Sequence, residues 1–414
     1  MSTSPGAFPV RSVPAEDFDS FVAVDGLAFG LTVDADSVEA ERGVHEPDRA
    51  IAAYDGTAMV GIAAAYSLDL TVPGAVVPAA GVTWVGVLPT HRRRGVMRSL
   101  ITHQLDQVRE AGREPVATLW ASEPAIYGRF GYGRASYHYS VAVPRGTGAL
   151  LPDAPHDPAM RLRLVQAEDW KLVADVYAAE AARRPGMLAR DERWHRRAVI
   201  DYPGHRNGRS ELRCLVAEDA SGVRGYARYT TKQDWSKGFA DGDVDVREIV
   251  ALDPAAHAGL LRHLFDVDLM GTTRLWNVPV DDPLLHWLSD PRRAQPKRSD
   301  SLYIRIVDLP RALEARSYTI PVDAVLEVAD PLIPANAGRW RLTVSGDGSA
   351  RVQPSHEPPD AIVPVLDLGA VYLGGTALVE LEAAGRVREV TPGCLPQLSL
   401  AFSASPEPWC PVVF

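Results

Sequence analysis

The residues best suited to chemistry lie between Val82 and Gly133. Their centre is the run Val85-Gly86-Val87-Leu88-Pro89-Thr90-His91-Arg92-Arg93-Arg94-Gly95-Val96-Met97-Arg98. An apolar stretch passes through a turn with three arginines and a glycine into a helical pattern. That order suits an anion held at a helix N-terminus, where the first backbone N–H groups lack intrahelical partners and the helix dipole adds positive charge. A glycine lets a phosphate approach the backbone, and arginines supply charge-assisted bonds to its oxygens. Val96, Leu100, Ile101, Leu105 and Val108 fall at helical spacing, and Gly112 stops the pattern. On these residues alone, a solvated basic turn before an ordinary amphipathic helix stands as the alternative. His91 reads as a turn residue rather than a base.

Two further stretches follow: Val116-Ala117-Thr118-Leu119-Trp120-Ala121-Ser122-Glu123 and Ile126-Tyr127-Gly128-Arg129-Phe130-Gly131-Tyr132. Tyr127 carries a proton on a phenol of ordinary pKa about 10, so it can serve as a general acid. It can equally pack into a core, as Tyr132 does in the same reading. His195, His205, His257, His263 and His286 show no metal-ligand spacing. Cys410 has no base partner in view, so it makes no nucleophile.

Arg92-x-x-Gly95-x-Met97 resembles the acetyl-CoA pyrophosphate loop of the GNAT acetyltransferases, usually Arg/Gln-x-x-Gly-x-Gly/Ala, with Met97 departing from the small last residue. Pro89-Thr90-His91-Arg92-Arg93-Arg94-Gly95, together with Ala121-Ser122-Glu123 and Ile126 to Tyr132, is similar to one branch, the enhanced-intracellular-survival (Eis) family of actinobacterial N-acetyltransferases. The resemblance runs over essentially the whole chain, including its last residue.

The resemblance implies acetyl-CoA as cosubstrate, no metal, and direct transfer of acetyl to a primary amine of a small cationic acceptor, aminoglycoside-like or polyamine. Arg93, Arg94, Gly95, Val96, Met97 and Arg98 would hold the pyrophosphate. Val85, Gly86 and Val87 would bond the pantetheine arm, and the Val87 amide would polarise the thioester carbonyl. Ser122 and Glu123 match positions that touch the cofactor. Tyr127 would be the general acid, and the α-carboxylate of the final residue, Phe414, the base. Trp84 sits where the family places an aromatic acceptor-pocket residue, with ordinary strand packing as the other reading. Some relatives carry an acidic residue before the terminal Phe; here it is Val413. The family also implies a hexamer.

Composition bounds the remaining possibilities. The 414 residues suggest about two to four domains. A net charge of −10 without a long basic block argues against nucleic acid as partner and fits cationic substrates. Cys214, Cys394 and Cys410 are too few and too scattered for a disulfide framework or a metal site, and read as free thiols in a reducing compartment. The start Met1-Ser2-Thr3-Ser4-Pro5-Gly6 has neither a basic nor an apolar leader region. The run Gly74 to Leu88 contains Pro78 and is too short to span a bilayer. A cytoplasmic protein without membrane partners is expected.

The elements that must position these residues read as an α+β fold. A strand over residues 7–13 precedes a helix opened by Pro14-Ala15-Glu16-Asp17, then a polar helix–loop over 30–48 beside a cleft. Ile51–Tyr54 and Met59–Leu70 form a hairpin around Asp55-Gly56, and Ala79–Val87 leads into the arginine turn. This first domain, a catalytic GNAT domain, is bounded at 1–144, with a Pro- and Gly-rich linker over 145–158. The pattern then repeats over 159–300: Arg247 to Pro254 mirrors Val82 to Pro89, but the following turn has only His257 before Gly259. This second GNAT-like copy has lost its phosphate-binding cations and is expected not to bind acetyl-CoA. Its acidic approach (Asp241, Asp243, Asp245, Glu248) reads as a solvated face or a wall attracting cations. The third unit, 301–414, opens with the strand Leu302–Val307 and the helix capped by Asp308. It continues through a hairpin at Trp340–Val344 and Ala350–Gln353, then helices at Leu366–Tyr372 and Thr376–Ala384. By resemblance it is a sterol-carrier-protein-like domain, read as a packing and assembly module. A lipid carrier or scaffold without enzymatic activity, or an enzyme acting on protein lysine, are the competing readings.

Overall fold

The computed structural model describes residues 8–146 and 149–414. The Met1–Gly6 start, residue 7 of the first strand, and Thr147 and Gly148 of the linker lie outside the described residues.

The first part of the chain contributes β1 (Val10–Ser12), α1 (Phe18–Phe29), α2 (Ala35–Arg42), β2 (Ala50–Asp55), β3 (Ala58–Val72), β4 (Ala75–Val87), α3 (Val96–Ala111), β5 (Val116–Trp120), α4 (Pro124–Tyr127) and β6 (Gly133–Arg134). The second part contributes β7 (Tyr137–Pro144), β8 (Arg161–Gln166), α5 (Lys171–Arg183), α6 (Glu192–Arg197), β9 (Arg213–Asp219), β10 (Gly222–Lys232), β11 (Gly242–Ala251), α7 (Pro254–Phe265), β12 (Met270–Pro279), α8 (Leu284–Trp287) and β13 (Lys297–Asp300). The last part contributes β14 (Leu302–Ile306), α9 (Leu309–Glu314), β15 (Val322–Val328), β16 (Gly338–Val344), β17 (Ala350–Pro354), β18 (Ala361–Ile362), α10 (Val365–Val371), α11 (Leu378–Ala383), β19 (Arg388–Glu389) and α12 (Cys394–Phe402). Among the described residues, no helix is long and apolar enough to cross a membrane.

The chain forms two compact units. One runs to Ser136 and resumes with Ser301–Phe414; the other is Tyr137–Asp300. The first unit holds a seven-stranded sheet ordered β1-β2-β3-β4-β5-β14-β6 and a five-stranded sheet ordered β17-β16-β15-β18-β19. The second unit holds a seven-stranded sheet ordered β13-β7-β12-β11-β10-β9-β8. Mixed pairing in each sheet makes this an α+β protein, as the sequence indicated.

Two strands lie elsewhere than expected. β7, which falls inside the first domain as bounded at residue 144, pairs with β12 and β13 in the second unit's sheet. β14, read as the start of a separate third unit, inserts between β5 and β6 in the first sheet, with Leu302 opposite Trp120 and Ile304 opposite Gly133. Leu302 to Ile306 are all buried. Arg305 on this strand has its guanidinium fully buried, 2.8 Å from the equally buried Asp330 carboxylate. A paired arginine can thus occupy a central strand covered on both faces.

The first sheet is covered on both sides. On one face, Val96, Leu100, Ile101, Leu105 and Val108 of α3 pack on Ile51, Ala53, Ala63 and Val82. On the other, Phe21 and Val24 of α1 pack on Ala50, Ala52, Ile62 and Ala64. The sheet's far end meets α10. A Cβ on Gly133 would fall 2.0 Å from the Leu366 carbonyl oxygen and 2.3 Å from the Ala370 nitrogen, and one on Gly369 would fall 2.3 Å from the Ile304 carbonyl oxygen.

Arg316 ties the last part together. It is buried between the Tyr318 and Phe402 rings and donates to the carbonyls of Val371, Tyr372 and Phe402. Its neighbour Ser317 donates its backbone N–H to Pro73 O in the β3–β4 turn. The long β3–β4 hairpin is therefore fixed to the end of α12, the element from which the C-terminal tail departs. Asp308 caps α9 as expected, accepting from the Arg311 N–H.

Both glycine approaches are to backbone, which cannot rotate away. Gly133→Ala should therefore lower stability by about 1–3 kcal/mol through overpacking, measured by denaturant titration. Unchanged stability would contradict the docking of α10 on this sheet.

Candidate active site

The site begins where β4 parts from β5. The two are parallel partners only from Ala79–Val116 to Gly81–Thr118. Beyond Gly81, β4 continues to Val87 without β5, while β5 runs on to Trp120 against β14. The cause lies in β4 itself. Its register against β3 slips between Ile62–Gly86 and Ala64–Thr83, so Trp84 and Val85 together oppose Ala63. Trp84 adopts φ +56°, a left-handed conformation costly for a bulky side chain. A bulge of this kind bends a strand away from its neighbour. Val85 and Val87 keep their side chains in the core facing α3. Gly86 faces α1, where a Cβ would lie 3.1 Å from the Ala28 Cβ.

The bent strand delivers the arginine turn. Gly95 precedes α3 at φ +88°, no side chain caps the helix, and space around an added Cβ is open. The Ser99 N–H already bonds Gly95 O, so the N–H groups of Val96, Met97 and Arg98 form the open first turn. Arg93, at φ +60°, Arg94 and Arg98 are exposed, with the Arg94 guanidinium 4.9 Å from the Phe8 ring centroid. Arg92 is engaged structurally: it donates to Val87 O and, at 2.6 Å, to Ala28 O, fastening the loop to the end of α1. His91 is a turn residue as read, within hydrogen-bond reach of Thr90 and Asp55. The structure thus brings Val85 to Val87 and Arg93 to Arg98 to one side of the split between β4 and β5.

The other wall follows β5. Ser122 and Glu123 are exposed just beyond it, ahead of α4. Tyr127 ends α4 with its ring buried against Tyr132. Burial, with a smaller contribution from Glu123, pushes its phenol up to about 12. No protein group among the described residues bonds its hydroxyl; the Tyr132 hydroxyl is likewise unbonded but is sealed inside the core. Tyr127 is therefore both packed and equipped with an unclaimed proton.

On the α1 face the sequence-predicted Trp84 joins an aromatic group. Its indole N–H donates to the Tyr66 hydroxyl at 3.1 Å, and its ring lies 5.6 Å from Phe21 and 6.5 Å from Phe18. His45 packs on Phe18 at 4.4 Å with its Nδ1 buried and unbonded, and burial, then Arg42, depresses its pKa. Asp25 lies one turn before Ala28; burial, then Glu41, pushes its carboxyl up to about 6. Tyr66, His45 and Asp25 were not singled out in the sequence, since each lies in an otherwise unremarkable apolar or acidic pattern.

The C-terminal tail reaches the same face. Trp409, Cys410 and Val412 are buried, and the Phe414 ring comes within 3.2 Å of an ideal Cβ on Gly81, beside Leu68. Gly81 is the last residue of β4 paired with β5. Phe414 thus meets the sheet at the point where the strands separate.

The second unit repeats this plan with its openings filled. Asp253 caps α7, its carboxylate accepting from the Ala256 N–H, where α3 has only Gly95. His257, the residue in place of the arginines, lies 3.2 Å from Asp282; the carboxylate outweighs burial and raises the histidine's pKa. The acidic approach proves to be neither a solvated face nor an open wall in full: Glu248 is buried between Arg190 and Arg228, and Asp243 pairs with Arg209.

Comparisons with known proteins agree with this architecture. Residues 9–135 and 186–306 each match an acetyltransferase (GNAT) domain, and residues 309–411 match a sterol carrier protein domain. A Streptomyces avermitilis protein named as an uncharacterized N-acetyltransferase is 45% identical over 405 residues, 97% of this chain and 98% of its own length. The N-acetyltransferase Eis of Mycobacterium tuberculosis is 33% identical over 401 residues, covering 94% of this chain and 95% of that protein. The crystal structure of Eis1 from Mycobacterium abscessus superposes with a TM-score of 0.84 at 33% identity, covering 98% of this chain and all of that one.

The raised Asp25 pKa has a consequence for stability. A carboxyl at about 6 in the fold, against 3.8 ordinarily, disfavours the folded state once ionised. The penalty is absent below the ordinary value and grows as pH rises through the folded one. Asp25→Asn should therefore raise the melting temperature at neutral pH, with the gain vanishing in acid. A gain independent of pH would contradict the assignment.

Proposed function

Because the chain belongs to the Eis family of GNAT N-acetyltransferases, we propose that it transfers acetyl directly from acetyl-CoA to a primary amine of a small polycationic acceptor, an aminoglycoside-like molecule or a polyamine. The observation carrying this reading is the split between β4 and β5 leading into the uncapped N-terminus of α3, with Tyr127 on the facing wall.

In this reading the open first turn of α3 holds the pyrophosphate through its backbone N–H groups, with Arg93, Arg94 and Arg98 adding charge. The pantetheine arm lies in the split as an extra strand along Val85-Gly86-Val87, beside Ser122 and Glu123. The Val87 N–H polarises the thioester carbonyl. The acceptor approaches from the α1 face, where the aromatic faces of Phe18, Phe21 and Trp84 and the carboxyl of Asp25 favour an alkylammonium. A neighbouring cation would ease the ionisation of Asp25 that burial opposes.

The acceptor must lose a proton before it attacks, because an alkylammonium titrates near about 10. The terminal carboxylate of Phe414 takes that proton. The amine nitrogen bonds the carbonyl carbon, the C–S bond breaks, the Tyr127 hydroxyl donates to the departing sulfur, and the proton then shed by the acylated nitrogen restores the phenol. Its raised pKa keeps it protonated throughout the working range. The assembly is a hexamer in a cytoplasmic setting, with no metal, nucleic acid or membrane taking part.

Two variants separate these roles. Tyr127→Phe should lower kcat by about 10²-fold or more while acetyl-CoA affinity, read by titration calorimetry, stays unchanged; wild-type turnover would make Tyr127 structural. Adding residues after Phe414 should reduce turnover with polyamines and aminoglycosides far more than cofactor affinity. An extended protein with full activity would remove the terminal base.

A further inference from the structure

The second unit contains a buried group of charges that the proposed chemistry does not use. Cys214 on β9, Arg228 on β10 and Glu248 on β11 form one cross-strand row, with Arg228 opposite both of the others. The row lies beneath α5 and α6. Arg190 reaches into it over the Tyr177 ring, 3.9 Å from guanidinium carbon to ring centroid. Arg190 donates to one Glu248 oxygen at 2.6 Å, and Arg228 and the Tyr226 hydroxyl donate to the other at 2.9 and 2.8 Å. Arg228 is 1% exposed.

The charges in this row do not balance. Arginine does not deprotonate in proteins, so the row carries two fixed cations. Burial alone would raise the Glu248 carboxyl, but Arg190 and Arg228 hold it down at about 2, giving one fixed anion. His195, stacked on Trp170, is pushed down to about 4 by burial, then by the same two arginines, and stays neutral. Burial pushes the Cys214 thiol up to about 11, so it stays protonated, with its sulfur in reach of the Arg228 guanidinium as a weak acceptor. The adjacent carboxylates are engaged elsewhere: Glu180 with Arg183 and Arg184, and Asp191 with Arg193 and the Trp194 N–H. One positive charge is left over inside the layer.

The unmet hydrogen bonds have the same sign. Arg190 Nη1, Arg228 Nε, Arg228 Nη2 and His195 Nδ1 are buried without a partner among the described residues. Three of the four can only donate. A water there would have to donate as well as accept, and His195 Nδ1 is the single possible acceptor among them. A water would also leave the charge uncompensated. An anion only accepts, which suits the guanidinium N–H groups that Glu248 leaves free, and it cancels the excess charge.

We propose that the second unit binds a small monovalent anion, of the size of chloride, between Arg190 and Arg228 in the layer between its sheet and helices α5 and α6. The corresponding face of the first sheet carries Ile62 and Ala64 against α1, an apolar contact. In this reading the second copy has an ion-filled layer where the first has an apolar one, and the anion is part of its fold.

The test uses the full chain purified free of halide. Crystals soaked in bromide should show an anomalous peak within hydrogen-bond distance of both guanidinium groups, and sodium chloride should raise the melting temperature above sodium gluconate at equal ionic strength, by about 2 °C or more. Glu248→Gln, which removes the competing carboxylate charge, should bind bromide more tightly. Should that variant fail to fold, the wild-type crystal decides alone. Ordered water in place of the peak, with no difference between chloride and gluconate, would overturn the proposal.

Discussion

The constraint on which the first unit depends is the bulge at Trp84 and Val85. Two residues of β4 face one of β3, and the strand turns away from β5 after only three paired positions. Holding a tryptophan at φ +56° is unfavourable in isolation. Here its ring is held by Phe18 and Phe21 and its N–H by Tyr66. Those contacts offset a backbone conformation whose result is an unpaired strand edge inside a sheet. Unpaired edges are normally covered or charged because they recruit other strands; in the proposed function this edge receives the pantetheine arm.

The other features follow from that split. Gly81, the last paired residue, is where the tail ring of Phe414 rests, so the last part of the chain and the first sheet meet at the same point. Arg316 and Ser317 hold the start of that tail to the β3–β4 turn. Gly133 and Gly369 let α10 reach the far end of the sheet. The strand β14 completes that sheet from 182 residues downstream of its partner β5, counted from Trp120 to the opposite Leu302. The sterol-carrier-like part is therefore built into the first unit rather than appended to it, consistent with a positioning role.

Local patterns in the sequence were informative wherever a single segment decides its own structure. The Asp55-Gly56 hairpin, the arginine turn ahead of α3 and the caps at Gly112 and Asp308 all lie where spacing placed them. Strand partnership was not legible, because Leu302–Ile306 and Tyr137–Pro144 have the composition of strands without stating which sheet they join. Buried charge misled at one place. Glu248 looked like part of an acidic surface, yet it is paired in the interior. Periodicity reads polarity, and it cannot see a partner distant in sequence. At the candidate site, the cofactor side was visible as a contiguous motif. The acceptor side was not, since Asp25, His45 and Tyr66 come from three separate elements and only the fold assembles them.

The two copies differ in what occupies the start of the equivalent helix: an open turn behind Gly95 in α3, and the protein's own Asp253 carboxylate in α7. The proposed cofactor binding accordingly lies wholly in the first unit. Calorimetric titration of the full chain with acetyl-CoA tests this most directly. One molecule bound per chain, abolished by adding bulk at Gly95 with Gly95→Val and unaffected by His257→Ala, is the predicted result. Two molecules per chain, or binding that survives the change at Gly95, would contradict it.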